Sequence, residues 1–185
     1  MTGRPFFFVP GKARPQGSKR APKAGVVRET TKGLHAWRRA VADTALAAGW
    51  RGTPEPGAFA VALIFVRARP KSHYERAGRG GRRADAPRVL LADAPAYPES
   101  KPDIDKLERA ILDALTGRCW PDDCKVVAIR KWKLYGAEPG VGILVARTAP
   151  VRPGAADLPA TLNERDRDAR LVQVFNWWPA SIAPV

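Results

Sequence analysis

KPDIDKLERAILDALTGRCWPDD, residues 101–123, is the stretch on which the reading of this chain turns. It stands out by charge. The protein has a formal net charge of +14, yet this stretch holds six of its 18 acids: Asp103, Asp105, Glu108, Asp113, Asp122 and Asp123. Ser100 and Pro102 form a helix start signal, and Ile104, Leu107, Ile111 and Leu115 recur at helical spacing. Asp105, Arg109 and Asp113 then share the opposite face. Thr116-Gly117 ends the helix, with Gly117 as a left-handed cap. Asp122-Asp123 open a strand-like run, and a short turn could bring them back beside Asp103 and Asp105. Carboxylates without His or Cys suit Mg²⁺ or Mn²⁺ rather than Zn²⁺. An Asp-x-Asp at a helix start also serves as a cap, and an Asp-Asp pair before a strand also makes a turn. The residues alone leave both options open.

The remaining chain is basic, with 32 Lys and Arg in 185 residues. That length is enough for one domain with a substantial core. No apolar run approaches the roughly 20 residues that cross a bilayer, and Phe6-Phe7-Phe8-Val9 is too short for a signal-peptide core. Two cysteines, Cys119 and Cys124, exclude a disulfide framework and a four-thiolate zinc site, which makes a reducing cytoplasm the simplest setting. The charge favours nucleic acid over a membrane, since no strongly amphipathic basic helix is evident.

Most of that charge lies in two Pro/Gly-rich arms. Residues 10–33 carry seven cations against Glu29, and residues 67–101 carry nine against four acids. The cations expected to touch DNA are Lys12, Arg14, Lys19, Arg20 and Lys23 in the first arm, and Arg69, Lys71, Arg82, Arg83 and Lys101 in the second. A solvated surface loop is the plainer reading of either arm. Their shared character and the second arm's ending at Asp103 favour DNA contact. His73 and Tyr74 could stack on an exposed base or pack under the loop.

Between the arms, Thr30-Thr31 introduce a helix that buries Leu34, Trp37, Val41, Ala45 and Ala48 and stops at Gly49. His35, Arg38 and Arg39 are expected to point outward. The run from Phe59 to Val66 is continuously apolar, as in a strand covered on both faces. Two more strands follow, at 126–135 and 142–147. In the first, Lys131 and Lys133 read as the wet face and Trp132 and Leu134 as the buried one. The order β-α-β-α-β-β predicts a single α+β domain, a mixed sheet with two main helices and long basic loops. It occupies residues 1–149, followed by an extension over 150–185 with four basic and four acidic residues. In that extension, Trp177-Trp178 would dock on the domain or on a partner.

KPDIDKLERAILDALTG followed by WPDDCKVV resembles the RusA family of phage and bacterial Holliday-junction endonucleases. That family carries K/R-x-D-x-D-N-x-x-K-x-x-x-D-A-L, a short turn, then D-D-x-x-V-V. The likeness is closest over 101–127, weaker from about residue 5 to 147, and absent beyond 150; Arg-Pro-Lys-Ser-His-Tyr at 69–74 also matches. The resemblance implies a Mg²⁺- or Mn²⁺-dependent endonuclease that resolves four-way junctions in recombination and repair, leaving 5′-phosphate and 3′-hydroxyl ends. It implies that Asp103, Asp105 and Asp123 are the essential metal-binding carboxylates; Asp122 and Asp113 are candidates for a supporting role beside them. Arg109 stands where the family has a functional lysine, and Lys106 where it has Asn. As a guanidinium Arg109 is a poor proton donor, so its expected role is electrostatic. Paired nicks in a two-fold symmetric junction imply a homodimer.

Two rival readings remain at this stage: a non-catalytic nucleic-acid binder, and a nuclease with the same site that prefers flaps or forks. All three share the basic arms. Neutralising Lys19, Arg20 and Lys23 together should weaken junction binding and flatten its log–log salt dependence by up to roughly three units. Titrations in EDTA across a range of salt would measure it, and an unchanged slope would remove these residues from the DNA contact.

Overall fold

The computed structural model describes residues 6–17, 32–50, 56–75 and 88–148. Their elements run in the order β1 (Phe7–Pro10), α1 (Leu34–Ala47), β2 (Phe59–Arg67), α2 (Ile104–Leu115), β3 (Val126–Tyr135) and β4 (Gly140–Arg147). The four strands make one mixed sheet in the order β1-β4-β2-β3. β2 pairs parallel with β3, and β4 pairs antiparallel with both β2 and β1. This is the expected α+β arrangement. The 150–185 extension lies outside the described residues.

Both helices cover the same face of the sheet, because residue parity leaves them no alternative. Phe59, Val61, Leu63 and Phe65 of β2 point one way, in register with Val145, Ile143 and Val141 of β4. Phe7 and Val9 extend that surface across β1. Against it lie Leu34, Trp37, Val41 and Ala45 of α1 and Leu107, Ala110, Ile111 and Leu115 of α2, all buried. Burying a Leu or Ile side chain contributes about 1.5–3 kcal/mol, so this stripe is what holds α2 in place.

Each helix is bounded by a glycine with positive φ. Gly33 caps α1 at φ +81, so the helix starts at Leu34, and Gly49 (φ +99) follows its end. Gly117 sits just past α2 at φ +75, as its place in the sequence predicts. Arg38 does not project freely: it donates to Asp113 at 2.5 Å and ties α1 to α2. Trp120, fully buried, closes the turn after α2. Its indole N–H donates to Thr116 Oγ1 at 3.2 Å, and its ring packs 5.7 Å from Phe59.

On the opposite face of the sheet, β2 is buried as its apolar run predicts, while β3 differs from expectation. Register puts Ala60, Ala62, Ile64 and Val66 on it, beside Ala128, Arg130, Trp132 and Leu134 of β3. Ala60, Ala62 and Ile64 are buried there. Lys131 and Lys133 instead face the helices, where Lys131 pairs with Glu108 of α2. Trp132, read from sequence as buried, is 41% exposed. The two-residue alternation was legible, but its sense was reversed: β3 is an edge strand, and its lysines reach past the core to acceptors on α2 and on the segment leading into it.

Trp120→Ala should lower the unfolding free energy by about 3–5 kcal/mol. Val127→Ser, at a position 64% exposed on β3, should stay within about 0.5 kcal/mol of wild type. Urea denaturation followed by circular dichroism measures both, and equal midpoints would contradict the packing described.

Candidate active site

Asp103 is the N-cap of α2, with extended backbone (φ −69, ψ 144). Its carboxylate makes no capping bond. It accepts instead from Lys106 Nζ at 2.7 Å, one turn along the helix. That bond, with the Lys106 charge and the more distant Lys101 and Lys133, holds the Asp103 carboxyl below its ordinary value. The same contact raises Lys106, helped by Asp105. Asp105 is exposed in the first turn, where the helix dipole favours a negative charge. Arg109 is exposed one turn further along the same face.

The segment leading into Asp103 is held from the sheet. Lys101–Pro102 is a cis peptide. Arg67, at the end of β2, donates to the Ser100 carbonyl at 3.0 Å and to its hydroxyl at 3.2 Å. Lys133 donates to the carbonyls of Ser100 (3.2 Å) and Pro102 (3.3 Å). Ser100 is therefore a receptor for Arg67 rather than part of a capping box. A cleft of about 210 Å³ opens here, lined by Lys12, Phe65, Arg67, Pro102, Leu107 and Pro139. The first arm crosses α2 at this end too, through Gln16 N–H to the Lys106 carbonyl at 2.9 Å.

The second arm is clamped at its base. Its two feet pair through a Tyr74–Leu90 bridge, with Glu75 N–H to Val89 O at 2.9 Å and Leu91 N–H to His73 O at 3.0 Å. Arg69 lies 4.2 Å over the Tyr135 ring and donates to Pro95 O at 2.8 Å, while His73 meets Tyr135 edge-on. His73 and Arg69 thus pack against the end of β3. Lys12, Lys71 and Lys101 are exposed, and Arg14 is half-buried. Lys19, Arg20, Lys23, Arg82 and Arg83 lie outside the described residues.

The remaining acids are elsewhere. Helix α2 runs back along β3, since Lys133 meets its start and Lys131 meets Glu108 in its second turn. Asp122 and Asp123 immediately precede β3, so they lie by the far end of α2. From Asp103 to Leu115 is about 18 Å along the helix axis. Asp122 accepts from Cys124 N–H at 2.9 Å and opens a short 3-10 turn, Asp123–Lys125. That bond, with a second from the Cys124 thiol, keeps the Asp122 carboxyl below its ordinary value, and the thiol's own contact with the carboxylate pushes Cys124 up. Asp113 is engaged by Arg38.

The expected return of Asp122-Asp123 to Asp103 and Asp105 therefore does not occur within one copy of the chain. Among the described residues, no group of three or more His, Cys, Asp or Glu side chains is close enough to hold one cation. The donor chemistry suits a hard divalent ion, but the placement within a single copy does not.

A profile described as Endodeoxyribonuclease RusA matches residues 8–146, three quarters of the chain. The chain belongs to the RusA family. No curated protein matches it. The RusA match spans every described element from β2 to α2 and β3, together with both arms and the six acids of residues 101–123, and it ends before the 150–185 extension. RusA-type nucleases are generally divalent-metal dependent. No helix among the described residues is long and apolar enough to cross a membrane.

Sequence reasoning missed Arg67, Lys133 and the Lys131–Glu108 pair. The signal was present for the two lysines: both share parity with Leu63 and Phe65, which face the helices.

In a Lys106→Met variant, the Asp103 carboxyl should titrate at higher pH than in wild type, measured by NMR of the side-chain carbonyl. Its folded pKa is depressed, so the ion pair stabilises the start of α2 above the unfolded carboxyl value. That stabilisation disappears as pH falls through the lowered folded value. An unchanged titration would show that Lys106 does not set the charge at Asp103.

Proposed function

We propose that this protein is a homodimeric, Mg²⁺- or Mn²⁺-dependent endonuclease that resolves four-way DNA junctions by paired nicks, acting in the cytoplasm during recombination or repair. The observation that carries this reading is the RusA match over residues 8–146, which includes the complete acidic motif. Asp103, Asp105 and Asp123 are the ligands of the cation, and Asp122 supports Asp123. Asp113 serves the α1–α2 contact instead. When bound, a divalent ion supplies positive charge at the scissile phosphate and a more acidic water.

The chain's own residues do the rest. Lys101, Lys12 and the second-arm cations draw the phosphate backbone to the end of the sheet where α2 begins. Lys106 strengthens the preference of Asp103 for its ionised form. Arg109, one turn beyond Asp105, donates N–H groups to non-bridging phosphate oxygens. A guanidinium remains charged through the reaction, so its contribution is electrostatic.

The placement of the acids adds a condition. Asp103 and Asp105 lie at one end of α2 and Asp122 and Asp123 at the other, so each site is completed by two copies. A two-fold axis across α2 sets the beginning of each helix against the end of its mate and yields two equivalent sites. A two-fold symmetric junction needs two cuts, and the same symmetry provides them.

Labelled four-way, three-way and linear DNA incubated with Mg²⁺ or EDTA tests the activity. Cleavage selective for the four-way substrate and absent in EDTA is expected. Junction binding without cleavage would instead favour a non-catalytic binder, and a preference for three-way DNA would favour a flap or fork nuclease. Asp103→Asn, Asp105→Asn and Asp123→Asn should each be inactive alone. Mixing the Asp103→Asn and Asp123→Asn proteins distinguishes shared from self-contained sites. Shared sites leave one intact site in each mixed dimer and recover roughly a quarter of wild-type nicking, from random pairing across the two-fold axis. No recovery from a mixture that does exchange subunits would overturn site sharing while leaving the nuclease reading intact.

A further inference from the structure

Two lysines of β3, two residues apart, hold successive parts of the path into the site. Lys131 stands opposite Leu63 and Lys133 opposite Phe65, so both share the parity of the core-facing residues of β2. Lys131 pairs with Glu108, in the second turn of α2. Lys133 Nζ donates to the Ser100 carbonyl at 3.2 Å and to the Pro102 carbonyl at 3.3 Å. These acceptors lie on either side of Lys101, and the second belongs to the residue immediately before Asp103.

We propose that Lys133 is a positioning residue for DNA cleavage: by holding the Ser100 and Pro102 carbonyls it fixes where the Asp103 carboxylate is presented. The inference rests on the nuclease reading above, which makes Asp103 a ligand of the cation. Nothing else on the page holds that carboxylate firmly. It makes no capping bond, so the helix end does not orient it. Its bond to Lys106 joins two half-exposed side chains, and pairs of that kind are weak. The buried stripe of α2 begins at Leu107, four residues further on. Placement of Asp103 therefore falls to the main chain that leads into it. Arg67 grips that chain at Ser100, whereas Lys133 also reaches Pro102.

A direct contact with a DNA phosphate is the other use to which this charge could be put. An ammonium has three N–H groups, and Lys133 directs its Nζ at two carbonyls on the inner side of the sheet. Its charge also acts on the Asp103 carboxylate, so it already serves that group. The two roles differ in what they cost when lost. A phosphate contact is felt in affinity and in its salt dependence. A displaced ligand is felt in the rate, where a misplacement of about 1 Å can cost on the order of 100-fold.

The test compares Lys133→Met and Lys133→Arg with wild type, each as the full chain. Lys133 is partly exposed on an edge strand, so both variants keep the core intact. In Lys133→Met the carbonyl carbon resonances of Ser100 and Pro102 should shift, while those of Leu107 to Leu115 stay in place. Its single-turnover rate on saturating four-way DNA should fall at least about tenfold. Junction affinity in EDTA should stay within about threefold of wild type, with an unchanged salt slope. Lys133→Arg, which can still donate to two carbonyls, should recover most of the rate. Unmoved carbonyl resonances, a wild-type rate in the Met variant, or a loss confined to affinity with a salt slope lower by about one unit would each overturn the proposal. A wild-type protein that cuts no four-way DNA would fail the nuclease reading instead, and the carbonyl resonances would still report whether Lys133 holds the segment.

Discussion

Parallel pairing of β2 with β3 is the constraint from which the site geometry follows. Two parallel neighbours require the chain to cross back from the end of the first to the start of the second. Here the crossing is made by the second arm and α2. The beginning of the helix must therefore lie at one end of the sheet and its end at the other. Acids placed immediately before and after α2 are separated by the full length of the crossover, whatever their side chains do. The site sharing proposed above follows from that separation.

The same topology makes the end of the sheet that holds Asp103 dense in cations. Arg67 at the end of β2, Lys133 near the end of β3, and Lys101 with Lys106 around the helix start all converge there. Arg67 and Lys133 meet main-chain carbonyls, so they fix the path of the segment before Asp103 and remain positively charged while doing so. The same side chains therefore supply both rigidity and positive charge at this end of the sheet. Arg69 acts similarly on Tyr135, at the root of the second arm.

Much of the fold was legible because its elements carry strong local patterns. Helix α2 announced itself through Leu107, Ile111 and Leu115, and its end through Gly117. Two features were misread, for one reason each. The lysines of β3 were assigned to water because charge usually faces solvent, whereas an edge strand beside a helix lets long side chains reach acceptors such as Glu108. Asp122-Asp123 were expected beside Asp103 because the intervening segment is short in sequence. Spacing along the chain carries no sign of direction, and only the parallel register of β2 and β3 supplies it. The family motif was readable at the level of residue types, while the distances among those residues were not.

The pairing of β1 also constrains when this domain can be finished. β1 has a single neighbour in the sheet, β4, and Phe7 pairs with Ile143 across 136 positions (143 − 7) of the sequence. During synthesis β1 must wait for β4 before it can dock. Contacts this distant form late and slow folding. Until then, the aromatic residues at 6–8 remain a hydrophobic segment in search of a sheet edge, and a chain interrupted before β4 leaves them without one.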